Sequence, residues 1–103
     1  MSKQPSAHAA WAELSDGLYL AKGRCPATIA KHLDHCLGKP AQVLDAGCGT
    51  GALLAAWPRE IERTGFDHDS GLVAYAARRS QPGLRFVVGT FNEPPAGSFQ
   101  SVL

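Results

Sequence analysis

Residues 43–51 read Val-Leu-Asp-Ala-Gly-Cys-Gly-Thr-Gly, and no other stretch restricts the fold of this chain as much. Two apolar residues lead to an acid, three glycines alternate with small residues, and Ala52-Leu53-Leu54-Ala55-Ala56 follows as a helix-forming run. The pattern predicts a buried strand, a tight turn and a helix start. Glycine enters backbone conformations that other residues resist, and it lets a ligand lie against the main chain.

The surrounding sequence repeats the alternation. Pro26–Leu37 reads as a helix: proline suits a first turn, and Ile29, Leu33, Cys36 and Leu37 fall at helical spacing on one face. Gly38 and Lys39-Pro40 stop it. Gln42–Asp45 is the first expected strand, and Thr50–Trp57 the next helix, ended by Pro58. Glu62–Phe66 is a second strand. Ser70–Arg79 is a helix that Asp69 can cap, Leu84–Val88 a third strand, Asn92–Gly97 a loop, and Ser98–Leu103 a fourth strand. Strands alternating with helices predict an α/β fold with a parallel sheet and right-handed crossovers. Met1–His8 is polar and small, and Ala9–Leu14 suits a short helix.

Length and composition narrow the classes. One hundred and three residues make one domain at most. A formal net charge of +1, with Arg78-Arg79 the only adjacent basic pair, gives no electrostatic case for a nucleic-acid or membrane partner. No apolar run approaches the roughly 20 residues that span a bilayer. Cys25, Cys36 and Cys48 are odd in number and form no CxxC pair, which points to reduced thiols and a cytoplasmic location. His32 and Cys36 stand one helical turn apart with His35 beside them, but zinc needs four ligands in known spacings, so no metal is expected. Lys31, His32, Asp34 and His35 read instead as a solvated helix face.

Two cofactor classes use such a glycine turn. Gly47-Cys48-Gly49-Thr50-Gly51-Ala52 fits the dinucleotide pattern G-x-G-x-x-A, and Asp67 lies 20 residues after Gly47, where a ribose-binding acid belongs in either class. Asp45 separates them. A carboxylate two residues before the first glycine repels a pyrophosphate, whereas a sulfonium or ammonium group suits it. A helix before the first strand points the same way.

With its acid, the glycine segment resembles the first motif of the class I S-adenosylmethionine-dependent methyltransferases. Residues 64–78, Thr-Gly-Phe-Asp-His-Asp-Ser-Gly-Leu-Val-Ala-Tyr-Ala-Ala-Arg, resemble the family's second motif, with Asp67 as the acid, Asp69 as the cap and Ala76 as the packed alanine. The resemblance covers about residues 26–103. It implies a Rossmann-like three-layer fold, with residues 1–25 as an amino-terminal helical or cap segment and 26–103 as a partial cofactor-binding domain. It implies that Asp45, Ala46, Gly47, Cys48 and Gly49 line the methionine part of S-adenosylmethionine. Asp67 would accept from the ribose hydroxyls, and His68, Thr90 and Phe91 would flank the adenine. Thr90 stands where the family usually has an acid, and Gln100 where a later strand usually opens Phe-Asp. Trp11, Tyr19 and Arg24 fall in the segment that often covers the cofactor.

The family's sheet has seven strands in the order 3-2-1-4-5-7-6, so strands 3, 2, 1 and 4 are expected here, with strand 4 an open edge. That edge could pair with a partner chain or a second copy. No catalytic base is assignable. The function implied is methyl transfer, to a small molecule on general likeness. A non-catalytic S-adenosylmethionine-binding or interaction module is the alternative, and a fragment of an NAD-dependent oxidoreductase comes third.

Overall fold

The computed structural model describes residues 25–93, 95, 97, 99 and 101–103. Seven elements follow in chain order: α1 (Pro26–Cys36), β1 (Gln42–Ala46), α2 (Ala52–Ala55), β2 (Glu62–Asp67), α3 (Ser70–Ala76), β3 (Leu84–Val88) and β4 (Ser101–Val102). The sheet order is β3-β2-β1-β4, and every neighbouring pair is parallel. This is the expected Rossmann-like arrangement. The expectations for Trp11, Tyr19, Arg24 and Gln100, and for the segment before Cys25, lie outside the described residues.

Local chemistry sets each element's ends. Pro26 opens α1, and Gly38 at φ 74° lets the chain turn back, so that the Gly38 and Lys39 N–H groups reach the carbonyls of His35 and Asp34. Helix α2 is shorter than the sequence suggests. Gly51 is left-handed, at φ 77°, and serves as its N-cap, so the turn consumes Thr50 and Gly51. At its other end two side chains close the free carbonyls: Arg63 Nη1 donates to Leu54 and Gln81 Nε2 to Ala55. Helix α3 starts as expected, with Asp69 Oδ1 accepting from the N–H groups of Gly71 and Leu72. It stops at Ala76 because Arg78 and Arg79 bond three residues back, to Tyr75 and Ala76, in a tightened last turn. Strand β4, at Ser101–Val102, falls within the stretch expected to begin a fourth strand.

The core gathers Ala30, Val43, Leu54 and Trp57, with Leu33, Leu53, Ile61, Leu84, Phe86 and Leu103 packed against it. Helix α1 corrects the expected face. Its buried residues are Ala30 and Asp34, Leu33 packs on the core, and Cys36 and Leu37 are exposed. Asp34, expected in solvent, is only 4% exposed. The reason lies after α2. Arg59 meets both Asp34 carboxylate oxygens, at 2.6 and 2.9 Å, Trp57 Nε1 donates to the same carboxylate at 3.1 Å, and Arg59 also reaches the Pro40 carbonyl. A charge can be buried when paired and hydrogen-bonded in this way. The network ties α1 to the segment entering β2. Among the described residues, no helix is long and apolar enough to cross a membrane.

Candidate functional site

The sheet order reverses at β1, whose neighbours β2 and β4 lie on opposite sides. In open α/β sheets ligands bind beyond the carboxyl ends of the strands at such a switch point. Here those ends deliver the glycine turn after β1 and Asp67 at the end of β2. The register pairs Asp45 with Gly65 and Ala46 with Phe66, so the two acids arrive at the same end of the sheet.

Internal hydrogen bonds hold the glycine turn. The N–H groups of Gly47 and Cys48 both donate to the Phe66 carbonyl, at 2.8 and 2.9 Å, and the Gly51 N–H donates to the Cys48 carbonyl at 3.0 Å. The Gly49 N–H donates to Asp67 Oδ2 at 3.1 Å. Gly47 and Gly49 have positive φ, and a Cβ built on either would point into open space. Gly51 differs: a Cβ there would stand 2.5 Å from the Phe86 ring and 3.1 Å from Ala76 Cβ. Two glycines therefore keep a cradle open, and the third lets α2 pack.

Asp67 is 8% exposed. Besides Gly49, the Asp69 N–H binds it, at Oδ1 over 3.0 Å, and His68 Nδ1 lies 3.3 Å from the same oxygen. A carboxylate offers about four acceptor sites, so Asp67 can still take further donors. The Asp45 carboxylate has no hydrogen bond or ion pair from the described residues. Burial, then the neighbouring Asp67 charge, pushes its pKa up to about 6. Burial and the two acids push the Cys48 thiol up to about 12, which makes it an inert spacer rather than a nucleophile.

The remaining expected residues follow the ends of β2 and β3. His68 is largely exposed. Thr90 is exposed, and its hydroxyl oxygen accepts from the Glu93 N–H at 3.1 Å, which closes a small turn. Phe91 is 79% exposed and meets Phe66 edge-on, with ring centroids 5.8 Å apart. Asp45, Ala46, Gly47, Cys48, Gly49, Asp67 and His68 thus come together around the strand ends. Phe91 reaches them through Phe66, and Thr90 is turned into its own loop. Arg79 is a contact that sequence reasoning missed. Its Nε–H donates to the Thr50 carbonyl over 2.8 Å, and only the Arg78-Arg79 pair hinted at it. Among the described residues, no group of three or more His, Cys, Asp or Glu could hold a metal ion.

Four of the turn's N–H groups are spoken for, and two carboxylates stand beside them. Those four donors are therefore not free to face an anion. A family model described as a methyltransferase domain matches residues 43–103. The chain belongs to this methyltransferase-domain family. Among solved structures it is similar to CalS10, an amino pentose methyltransferase from Micromonospora echinaspora involved in calicheamicin biosynthesis and solved with S-adenosylmethionine bound. The identity is 26%, the TM-score 0.65, and the match covers 86% of this chain and 40% of that one. It is also similar to a chain in the complex between the Haloferax volcanii Trm112 methyltransferase activator and a candidate methyltransferase. There the identity is 25%, the TM-score 0.59, and the coverage 90% and 42%. The chain thus spans about two-fifths of the length of these methyltransferase-related structures. No curated protein matches it at a significant level.

Proposed function

We propose that this chain is the S-adenosylmethionine-binding part of a methyltransferase acting on a small molecule. The carrying observation is the pair Asp45 and Asp67 beside a glycine turn with four of its N–H donors already used. Such a site attracts a cation with hydroxyl groups and repels a pyrophosphate. That disfavours NAD, which needs free N–H groups at its glycine turn. Family membership and the cofactor-bound neighbour support the same reading.

The residues fit the cofactor in kind. Asp45 would meet the cationic methionine end, with Ala46, Gly47, Cys48 and Gly49 forming the backbone wall. Asp67 would accept from the ribose hydroxyls while Gly49 and Asp69 hold it in place. His68, Thr90 and Phe91 would border the adenine, Phe91 through its exposed ring. Bound S-adenosylmethionine supplies an electrophilic methyl group. The chain's own contribution is to orient that group and keep the surrounding charge negative. A cytoplasmic location, argued from the cysteine pattern, belongs to this reading. So does a further strand on the open side of β4, from a longer form of this polypeptide, a second copy or a partner chain.

Asp45→Asn tests the charge argument. Calorimetric titration should find S-adenosylmethionine bound about tenfold more weakly, as the loss of one close charge interaction implies. Tighter binding by the variant would mean that Asp45 repels the natural ligand, and the reading would fail.

A further inference from the structure

Helix α3 touches the glycine turn from both ends. At its start, the Asp69 N–H holds Asp67, which holds Gly49. Just past its end, Arg79 donates Nε–H to the Thr50 carbonyl. The same peptide group is held on its other side, because the Gly51 N–H donates to Cys48. The guanidinium carbon of Arg79 lies 5.9 Å from the Tyr75 ring centroid, so an aromatic face on α3 backs it.

We propose that Arg79 is a positioning residue for the cofactor site: by holding the Thr50 carbonyl, it fixes the glycine turn in the shape that receives S-adenosylmethionine. The inference rests on the proposed function and adds a residue to it. The physical need is clear. A turn with three glycines in five residues loses much conformational entropy when it orders. An anchor that orders the turn beforehand removes that cost from binding. A charge-assisted bond to a carbonyl is about twice as strong as a neutral one, and only arginine offers a planar Nε–H that can also lie against a ring.

The sign of the effect separates this role from simple electrostatics. Arg79 is a cation near a site that takes a cation. Through charge alone, removing it should tighten binding; through the anchor, removing it should weaken binding.

The test uses the 103-residue chain with Arg79→Gln, Arg79→Lys and, as a control for charge, Arg78→Ala. S-adenosylmethionine affinity is read by calorimetry, and exchange of the Gly49 and Gly51 amides by NMR. Arg79→Gln should bind about tenfold more weakly, and its Gly51 amide should exchange faster while β1 and β2 amides stay protected. Arg79→Lys, which keeps the charge and most of the stem, should recover part of the affinity and covers the case in which Arg79→Gln unfolds. Arg78→Ala should stay within about twofold of the parent. Equal or tighter binding by both Arg79 variants would overturn the proposal. If the folded parent chain binds no S-adenosylmethionine, the cofactor reading fails instead. The Gly51 amide then decides the anchor alone: faster exchange in Arg79→Gln supports it, and unchanged exchange overturns it.

Discussion

At the scale of single residues, two carboxylates, the buried Asp34 and the half-buried Asp45, behave in opposite ways. Hydrogen bonds from Arg59, and then from Trp57, hold the pKa of Asp34 below the ordinary carboxylate range against the effect of burial. Its ionised form stabilises the fold above the unfolded-state pKa, and that stability is lost as pH falls through the lower folded value. Asp34→Ala should therefore cost about 2 kcal/mol near pH 7, less than a fully buried pair would because Arg59 can turn to water. Denaturant titration should find that gap shrinking in acid. Asp45 works the other way. Its folded pKa of about 6 lies above the unfolded one, so its contribution is most favourable below about pH 4 and is lost as pH rises through 6. Asp45→Asn should therefore stabilise the free chain by about 1–3 kcal/mol at pH 7.5, with the gain gone below about pH 4. The parent should bind S-adenosylmethionine less well as pH falls through about 6, because a neutral Asp45 no longer draws a cation. A pH series of calorimetric titrations checks this. A profile flat between pH 5 and 8 would contradict the role given to Asp45.

At the scale of elements, two glycines of one turn should separate experimentally. Gly49→Ala adds a methyl group where space is open, at φ 55°. It should lower stability by about 1–2 kcal/mol, the usual left-handed penalty, and cut ligand affinity more than tenfold because the cradle is filled. Gly51→Ala meets Phe86 and Ala76 and should cost more stability than Gly49→Ala. Thermal melts and titrations on the same two variants check both statements. What could be read from sequence divides along the same line. The strand, turn and helix after Val43, the cap at Asp69 and the limits of β3 were legible because each depends on neighbours in the chain. The burial of Asp34 was not, because its partners Trp57 and Arg59 lie 23 and 25 residues away. The brevity of α2 was hidden for a similar reason. The left-handed Gly51 and the carbonyl caps from Arg63 and Gln81 become visible only once β2 and β3 are in place. The meeting of Asp45, Gly47, Gly49 and Asp67 at the strand ends was legible from spacing. Arg79 was not, since helical numbering alone does not aim its side chain at Thr50.

At the scale of the whole molecule, the described strands form a parallel sheet that ends at β4, with Val102 62% exposed. An apolar edge strand is a template for further pairing. On the proposed reading, sedimentation of the 103-residue chain should detect association that grows with concentration, and a strictly monomeric species up to high concentration would contradict pairing at β4. The central claim concerns the other end of the sheet. It is that the acids and the glycine turn together select S-adenosylmethionine. The most direct test is a calorimetric titration of the chain with S-adenosylmethionine, S-adenosylhomocysteine and NAD, repeated on Asp67→Ala with its fold checked by circular dichroism. The expected result is binding of the first two ligands only, lost in the folded variant. Binding of NAD, or no binding of any ligand by a folded parent chain, would contradict the claim.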